Sequence, residues 1–378
     1  MKIFFLDQIG NINNKYSISL CNAVNKLSNL QIWLVTNDTN KFIENPSFNT
    51  YIRLWKDYTS ETSRLKKLLD YYFGYYNTLK HMKKEKIQVF HCQWFIFSPL
   101  DYYFLKKIHK AGIKIVVTVH DVLPFNSKIY DKYFHKKIYQ ISDFVIAQAN
   151  ENYNILHDIY HVEKNRMEMI PHGHFMDYAE VISQELAKDY FKISKDNIVI
   201  LFFGQIKKVK GLDILISSFS KVLNDYPNIT LMIAGKVWKD NFDEYEKLIK
   251  ELRIEDKVLL NIHFIEEKEI KYFFSAADIV VLPYKKIYQS GVVQLAFAYS
   301  KAVIASDIGG FKDVISNMKT GLLVKPGDVN DLASAIEFYL ANPQKMHEFG
   351  IEGKKAISKK LSWEKIAKQL QHIYFHRI

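Results

Sequence analysis

Residues 201–213 read LFFGQIKKVKGLD, and this stretch decides the class of fold that the sequence predicts. An apolar run ends at Gly204, three lysines follow, and an apolar-periodic segment begins after Gly211. That order is typical of a strand followed by a helix in an α/β protein. Lysines beside the free amide groups of a helix start can bind an anion, so the turn is a candidate phosphate site. The alternative is an ordinary solvated loop.

Short apolar runs alternate with longer amphipathic stretches along the whole chain, which predicts an α/β fold with parallel sheets. In the first half the predicted strands are Lys2–Leu6, Leu30–Val35, Gln88–Cys92, Ile113–Val119, Asp143–Ala147 and Met167–Ile170. In the second half they are Asn197–Phe203, Ile229–Ala234, Lys257–Leu260, Asp278–Leu282, Ala302–Ala305 and Gly321–Val324. We therefore expect two sheets of about six strands each.

The chain has 378 residues, enough for two domains of ordinary size. We predict a first domain over residues 1–180 and a second over residues 197–358. Residues 181–196 are polar and helix-prone, which predicts a linker between them. The remaining residues, 359–378, are predicted to form a helix that packs back on the first domain.

Composition excludes several classes of protein. Hydrophobic residues make up 48% of the chain and charged residues 25%, which argues against a disordered, collagen-like or coiled-coil protein. Two cysteines, Cys21 and Cys92, cannot form a disulfide framework. Asp7 interrupts the first apolar run, and no run approaches the roughly 20 residues that cross a bilayer. We therefore expect a cytoplasmic protein.

Ligands of open α/β sheets bind beyond the carboxyl ends of the strands, so the turns there carry the functional signal. The first turn contains Gly10 and Asn11 but no GxGxxG, and the chain has no GxxxxGK[ST]. These absences argue against an NAD-dependent dehydrogenase and a P-loop NTPase. His120 and Asp121 follow a predicted strand, where an imidazole can act on a substrate. A structural histidine is the equal alternative.

A second candidate phosphate site follows the strand that ends at Leu282. Ser290 is a suitable N-cap, and Gly291 leaves the amides of the first helical turn approachable. Two such helix starts facing each other would hold a diphosphate. The alternative is that the Ser-Gly pair only caps a helix.

At these residues the chain resembles a retaining glycosyltransferase of family 4. The resembling stretches are residues 117–124, 169–173, 201–213, 231–235, 274–278, 289–310 and 320–324. The resemblance implies the GT-B architecture, in which two Rossmann-like domains face each other across a cleft. It also implies that the second domain binds a UDP- or GDP-linked sugar and the first binds a saccharide or lipid-linked acceptor. The implied setting is bacterial surface polysaccharide or glycoconjugate synthesis.

The resemblance implies roles for single residues. His120 would lie beside the transferred sugar, and Lys210 would neutralise the charge that develops on the leaving diphosphate. The residues predicted to contact the diphosphate or the donor sugar are Gly10, Gln205, Lys207, Gln289, Ser290, Gly291, Val292 and Gln294. The residues predicted to contact the nucleoside are Gly235, Phe264 and Ile265. Asp121 and Asn11 are assigned to the acceptor.

The chain departs from the family pattern at three places. Gln205 stands where many members carry an arginine, although Lys207 can supply that charge. Ile287 and Leu295 replace the usual pair of glutamates, so the Gln-Ser-Gly-Val stretch reads as a variant. The paired glycines of the first turn reduce to Gly10. Without a spare carboxylate pair or a DxD motif, we expect attack on the face that the diphosphate leaves, with no cofactor and no metal.

The net charge of +11 lies entirely in the first part of the chain. Residues 1–140 contain 21 Lys and Arg against 10 Asp and Glu, and the remaining residues balance at 31 against 31. Residues 62–86 mix lysines with aromatic residues, which suits an anionic membrane surface. The alternative is a helix with its aromatics in the core. We expect peripheral contact with the inner face of the cytoplasmic membrane and no binding of nucleic acid.

Other functions remain open at this point. A sugar-nucleotide epimerase would need no acceptor, and a phosphorylase would need free phosphate. A non-catalytic basic protein that binds nucleic acid would explain the charge but not the phosphate turns, which lie in the neutral part. A degenerate partner subunit is the remaining alternative, because the paired glutamates are missing.

Overall fold

The computed structural model describes residues 1–8, 14–27, 30–36, 48–52, 62–123, 127–286 and 290–378. These residues form two compact units. The first contains Met1–Gly173 and Ser362–Ile378, and the second contains His174–Leu361. The chain therefore enters the second unit at His174 and returns to the first after Leu361.

The first unit is built on a parallel sheet of seven described strands. They are β1 (Lys2–Asp7), β2 (Gln31–Thr36), β3 (Asn49–Ile52), β4 (Val89–Cys92), β5 (Lys114–Val119), β6 (Phe144–Ala147) and β7 (Met167–Met169). The helices are α1 (Asn14–Lys26), α2 (Arg64–Glu85), α3 (Ser98–Lys110), α4 (Ile129–Ile141), α5 (Asn150–Asp158) and α14 (Trp363–His376). The strand order is β3-β2-β1-β4-β5-β6-β7, so the order reverses between β1 and β4.

The second unit has a parallel sheet of six strands. They are β8 (Ile198–Phe203), β9 (Ile229–Ala234), β10 (Val258–Asn261), β11 (Ile279–Leu282), β12 (Ala302–Ser306) and β13 (Leu322–Val324). The helices are α6 (Gln184–Tyr190), α7 (Leu212–Leu223), α8 (Asp243–Glu251), α9 (Glu267–Ala276), α10 (Gly291–Ala298), α11 (Gly309–Val314), α12 (Val329–Ala341) and α13 (Pro343–Lys360). The strand order is β10-β9-β8-β11-β12-β13, with a reversal between β8 and β11.

Both sheets bury apolar side chains on both faces, as parallel sheets do. In the first unit, Phe90 packs with Phe104 on one face, and Phe5 shares the other face with residues of α14. In the second unit, Ile200 and Phe202 lie on one face and Leu201 on the other. The alternation along each strand is what directs the connecting helices to both sides.

The strand predictions are confirmed in all twelve places, with ends that differ by no more than one residue. The strand β3 was not predicted from the sequence; it pairs with β2 at one edge of the first sheet. This strand, Asn49–Ile52, has only four residues, and two of them are polar. Its sequence therefore cannot be distinguished from that of a loop. The first sheet therefore has seven described strands instead of about six.

The segment that the sequence analysis assigned to a linker, residues 181–196, lies within the second unit. It contains α6, which packs on α9. Ser183 caps α6, since its side chain accepts a hydrogen bond from the Leu186 amide. The polar composition of this segment reflects an exposed helix, not a connection between units.

Helix α14 belongs to the first unit although it ends the chain. Ser362 caps it by accepting a hydrogen bond from the Lys365 amide at 3.2 Å. Its buried face, which includes Ile366 and Leu370, packs on α1. In the part of the chain that the structure describes, no helix is long and apolar enough to span a membrane.

Candidate functional site

Three turns of the second unit meet at the carboxyl edge of its sheet. They follow β8, β9 and β11, and their close contact depends on glycines. Gly235, at φ +146°, lies so near the turn after β8 that a Cβ would stand 1.9 Å from the carbonyl oxygen of Gly204. Gly211, at φ +67°, would place a Cβ 2.0 Å from the carbonyl oxygen of Pro283. No other residue fits either position, so these glycines bring the turns together.

The lysines of the turn after β8 have different surroundings. Lys208 is exposed and forms an ion pair with Glu244 at 3.2 Å. Lys210 is half-buried, and its Nζ lies 3.6 Å from the centroid of the Tyr284 ring. Among the described residues, no carboxylate forms an ion pair with Lys210. Lys210 is therefore a positioned cation, held by an aromatic face and not compensated by an acid.

The turn is also tied to the strand beside it. The Lys285 amide donates a hydrogen bond to the Val209 carbonyl at 2.8 Å, and the Lys285 Nζ pairs with Asp213 at 2.7 Å. Val209 directly precedes Lys210, so this hydrogen bond fixes the backbone of the lysine turn relative to the end of β11. This attachment holds Lys210 in place before any ligand arrives.

The start of α10 adjoins the same edge. Ser290 is buried and caps α10, since its Oγ accepts a hydrogen bond from the Val292 amide at 3.3 Å. A Cβ on Gly204 would lie 3.6 Å from Cγ2 of Val292, so the first turn of α10 touches the turn after β8. Gly291 would place a Cβ 2.9 Å from the Phe175 ring. A helix N-terminus and a fixed lysine thus border one edge, which is the chemistry of a phosphate site.

The other residues predicted for the donor are distributed as follows. Gln205 is exposed, Lys207 is half-buried at the start of the 3-10 helix, and Gln294 is buried within α10. Phe264 is exposed, whereas the side chain of Ile265 is buried in the core. Of these two, only Phe264 presents its side chain to solvent after β10. Gly10, Asn11 and Gln289 lie outside the described residues.

In the first unit, polar side chains gather at the carboxyl ends of β1, β4 and β5, which are neighbours in the sheet. His120 follows β5, and its Nε2 lies 2.8 Å from Oε1 of Gln93, which follows β4. Nε2 of Gln93 donates to Oγ of Ser17 at 2.9 Å. Ser17 in turn donates to the carboxylate of Asp7, the last residue of β1, at 2.6 Å.

Aromatic rings hold the His120 ring on two sides. The Trp94 ring stacks on it at 4.0 Å between centroids, and the Tyr16 ring meets it edge-on at 5.2 Å. Burial lowers the pKa of His120 well below its ordinary value, and neighbouring His172 lowers it further. His120 is therefore a neutral imidazole at physiological pH. Asp121 is exposed beside it.

Sequence reasoning missed Gln93, Trp94 and the pair Tyr16 and Ser17. Gln93 and Trp94 directly follow the predicted strand Gln88–Cys92, so the sequence could have predicted that they lie at the carboxyl edge of the sheet. Tyr16 and Ser17 lie on α1, and no sequence pattern shows that this helix faces the end of β4. Only the packing of α1 on the sheet brings them there.

A cavity of about 320 Å³ lies at the opposite edge of the first sheet and is lined by residues such as Gly112 and Ile378. A cavity of about 40 Å³ lies next to Gln93, Trp94 and Asp121, which is room for a water molecule and not for a sugar. Within the described ranges, no cluster of three or more His, Cys, Asp or Glu side chains could hold a metal ion.

Two family models match the chain. The model described as Glycosyl transferases group 1 matches residues 183–356, and the model described as Glycosyltransferase Family 4 matches residues 16–174. The capsular polysaccharide biosynthesis glycosyltransferase CapM of Staphylococcus aureus is 28% identical over 193 residues, which cover 51% of this chain and 50% of CapM. The chain spans about half the length of the first curated relatives that it matches.

Solved structures show the same fold over the full chain. Sucrose-phosphate synthase from Thermosynechococcus elongatus has a TM-score of 0.80 at 21% identity, covering 99% of this chain and 98% of that one. HepE of Anabaena, crystallised in complex with UDP-glucose, has a TM-score of 0.78 at 16% identity, covering 99% of both chains.

Two α/β units, each built on a parallel sheet, and the likeness to solved glycosyltransferase structures define the fold as GT-B. The two family models together span most of the chain. It belongs to the group 1, family 4 type of glycosyltransferases.

Proposed function

We propose that this protein transfers a sugar from a nucleoside diphosphate to a hydroxyl group of a saccharide or lipid-linked saccharide. The observation that carries the proposal is the carboxyl edge of the second sheet, where the turn that carries Lys210 also lies against the first turn of α10. A leaving diphosphate gains negative charge in the transition state, and a fixed cation with free helix amides stabilises that charge. HepE, which shares the fold, is crystallised with UDP-glucose, and CapM acts in capsular polysaccharide biosynthesis.

The proposal gives each unit its own share of the chemistry. The second unit binds the nucleotide, with Gly235 and Phe264 on the side of the nucleoside. The first unit supplies His120, a neutral imidazole that binds a sugar hydroxyl. With no carboxylate pair assigned to a double displacement, the acceptor hydroxyl attacks on the face that the diphosphate leaves, and configuration is retained. We expect Lys210 to supply the charge that a metal supplies in other transferases.

Thermal stabilisation tests the donor. A ligand that binds only the folded protein raises its melting temperature, by an amount that grows with ligand concentration. UDP-, GDP-, ADP- and dTDP-sugars should be compared, and we expect UDP- or GDP-sugars to raise the melting temperature. The rise should be the same with EDTA present. Failure of every nucleotide sugar would contradict the proposal.

A membrane-bound acceptor is supported by the outer face of α2. The aromatic residues that the sequence mixes with lysines are divided by the fold, since Tyr71 and Tyr75 enter the core while Phe73 and Tyr76 are exposed. We define the α2 stripe as the exposed residues Leu65, Leu69, Phe73, Tyr76 and Lys80. Their spacing of three and four residues places them on one face of the helix.

This stripe has the composition of a helix that lies in a membrane interface, with apolar side chains and lysines on an exposed surface. Because the net charge of +11 arises within residues 1–140, which belong to the unit that carries the stripe, an anionic bilayer is the surface it suits. We propose that the α2 stripe brings the first unit to the membrane where a lipid-linked acceptor resides.

Vesicle sedimentation tests the membrane proposal. The protein should sediment with vesicles of anionic lipid at low salt, and less so as salt rises. Phe73→Glu should reduce sedimentation, whereas Leu186→Glu, at an equally exposed leucine of the second unit, should not. No sedimentation at low salt would rule the membrane contact out.

A further inference from the structure

Four polar side chains of the first unit form one continuous chain of hydrogen bonds. It runs from Asp7 through Ser17 and Gln93 to His120, with distances of 2.6, 2.9 and 2.8 Å. Asp7 and Ser17 are fully buried and Gln93 is 2% exposed. Buried hydrogen bonds of this kind keep their geometry because no water competes for the partners.

The chain has a direction. A carboxylate only accepts hydrogen bonds, so the hydroxyl of Ser17 donates its hydrogen bond to Asp7. The Ser17 oxygen then accepts from the amide nitrogen of Gln93. That orientation turns the amide oxygen of Gln93 toward His120, and an amide oxygen can only accept. The nitrogen that faces it, Nε2, must therefore carry the proton of the imidazole.

We propose that Asp7, Ser17 and Gln93 are positioning residues that hold His120 as the tautomer with its proton on Nε2. Nδ1 is then left to accept a hydrogen bond from a hydroxyl group of the substrate. The assigned tautomer of His120 adds detail to the proposed function, and the expected effects on enzyme kinetics rest on that function. It assigns His120 to binding a sugar hydroxyl, because a neutral Nδ1 without a proton has nothing to donate to a phosphate oxygen.

The surroundings of the ring support this role. The stacked Trp94 and the edge-on Tyr16 limit rotation of the imidazole, so the tautomer determines which nitrogen is available. Gln148 donates a hydrogen bond to the Tyr16 oxygen at 2.9 Å, which holds that ring as well. The Gln148 side chain also interacts with His120, whose pKa it raises against the larger, opposing effect of burial. Among the described residues, the titratable groups next to His120 are His172, His91, Tyr16 and Asp121. Burial keeps His172 and His91 neutral by lowering their pKa values to about 4 and about 3.

Nuclear magnetic resonance of the wild-type protein tests the proton directly. Long-range proton–nitrogen spectra of ¹⁵N-histidine-labelled protein distinguish a protonated from an unprotonated ring nitrogen, and His120→Gln identifies the signal. We expect a neutral ring with the proton on Nε2, unchanged from about pH 6 to about pH 8. A proton on Nδ1, or titration of His120 within that range, would overturn the inference.

Two substitutions of Gln93 test whether the tautomer of His120 affects catalysis. Gln93→Leu removes the acceptor, so the tautomers mix and kcat should fall about tenfold or more with the donor KM unchanged. Gln93→Glu keeps an acceptor and adds a negative charge at the same nitrogen, which raises the pKa of His120. This variant should recover kcat at high pH and lose it at low pH, where wild type is flat. Equal loss in both variants at every pH would show a merely structural role and overturn the proposal.

The two proposals fail separately. Both Gln93 variants should keep the thermal response to the nucleotide sugar, because Gln93 lies in the first unit. If no nucleotide sugar stabilises the protein, the proposed function is wrong, and the tautomer is still read from the spectrum. If the proton lies on Nδ1, the positioning role is wrong, and donor binding is unaffected.

Discussion

At the scale of residues, the environment of each lysine or histidine decides its role more than its type does. Lys208 and Lys210 lie two residues apart, yet one is paired with a glutamate and exposed while the other rests against Tyr284. An ion pair in solvent contributes little and leaves little charge for a ligand. Lys210 is half-buried and has no ion-pair partner among the described residues, so it is the lysine whose charge we propose that a diphosphate uses.

We therefore predict that Lys210→Ala lowers kcat/KM by about 100-fold, since it removes charge stabilisation of the leaving group. Lys208→Ala should keep most of the activity and serves as the matched control. Circular dichroism and the melting temperature should show that both variants are folded. Equal activity of Lys210→Ala and wild type would remove the diphosphate assignment.

Lys301 is a second lysine whose surroundings matter, here for stability. Its Nζ donates to the Ser275 carbonyl at 3.1 Å, and burial lowers its pKa to about 8 against the opposing effect of Asp278. Below that pH the folded protein carries a buried charge. As pH rises from about 8 to about 10.5, the unfolded chain still holds the proton that the folded one has released, so the folded state gains stability.

A comparison with Lys301→Met isolates this contribution. The free energy of unfolding of wild type, relative to the variant, should rise by about 2 kcal/mol between about pH 7 and about pH 10. Urea unfolding at both pH values measures it, and other titrating groups cancel in the difference. A difference that does not change with pH would show that Lys301 is not titrating in this range.

At the scale of elements, α14 is joined to the sheet by a buried polar contact as well as by its apolar face. The Tyr374 hydroxyl lies 2.6 Å from Nδ1 of His91 on β4, and Nε2 of His91 lies 2.7 Å from the hydroxyl of Thr118 on β5. Both ring nitrogens are thus paired. Burial lowers the pKa of His91 to about 3, so the ring is neutral in the folded state.

Tyr374→Phe should destabilise the first unit by about 1–3 kcal/mol, because it leaves a buried ring nitrogen without a partner. Chemical denaturation followed by tryptophan fluorescence measures the loss, since Trp363 reports on the same unit. Tyr190→Phe is the control, at an exposed tyrosine of the second unit, and should have no measurable effect. A loss below about 0.5 kcal/mol for Tyr374→Phe would contradict the role of this contact.

At the scale of the whole molecule, the chain crosses between the units twice, and the end of the chain completes the unit that its start begins. Trp363, Ile366, Leu370, Ile373 and Tyr374 of α14 are all buried in the first unit. Burial of a large apolar side chain contributes about 1.5–3 kcal/mol before the entropy of ordering the helix is subtracted. Since the net stability of a whole domain is only about 5–15 kcal/mol, losing these five side chains would destabilise the first unit severely.

We predict that a chain ending at Leu361 loses the cooperative unfolding of its first unit and binds the dye ANS. The second unit contains no residue after Leu361, so nucleotide-sugar binding should persist in the shortened chain. Differential scanning calorimetry separates the two effects. A shortened chain with the melting profile of the full one would show that α14 is dispensable.

The sequence alone determined the strands, the α/β class, the family and the candidates His120 and Lys210. It could do so because strand periodicity, glycine turns and lysines at helix starts are local patterns, set by backbone geometry over a few residues. The short edge strand β3 could not be predicted, because its four residues show no such pattern.

Only the tertiary structure decided which residues act together. Asp7, Ser17, Gln93 and His120 are far apart in the chain and meet because β1, β4 and β5 are neighbours and α1 packs beside them. The same holds for the different surroundings of Lys208 and Lys210, since they depend on Glu244 and Tyr284. Contacts between distant parts of the chain, and the burial that gives them their strength, are set by packing and not by local sequence.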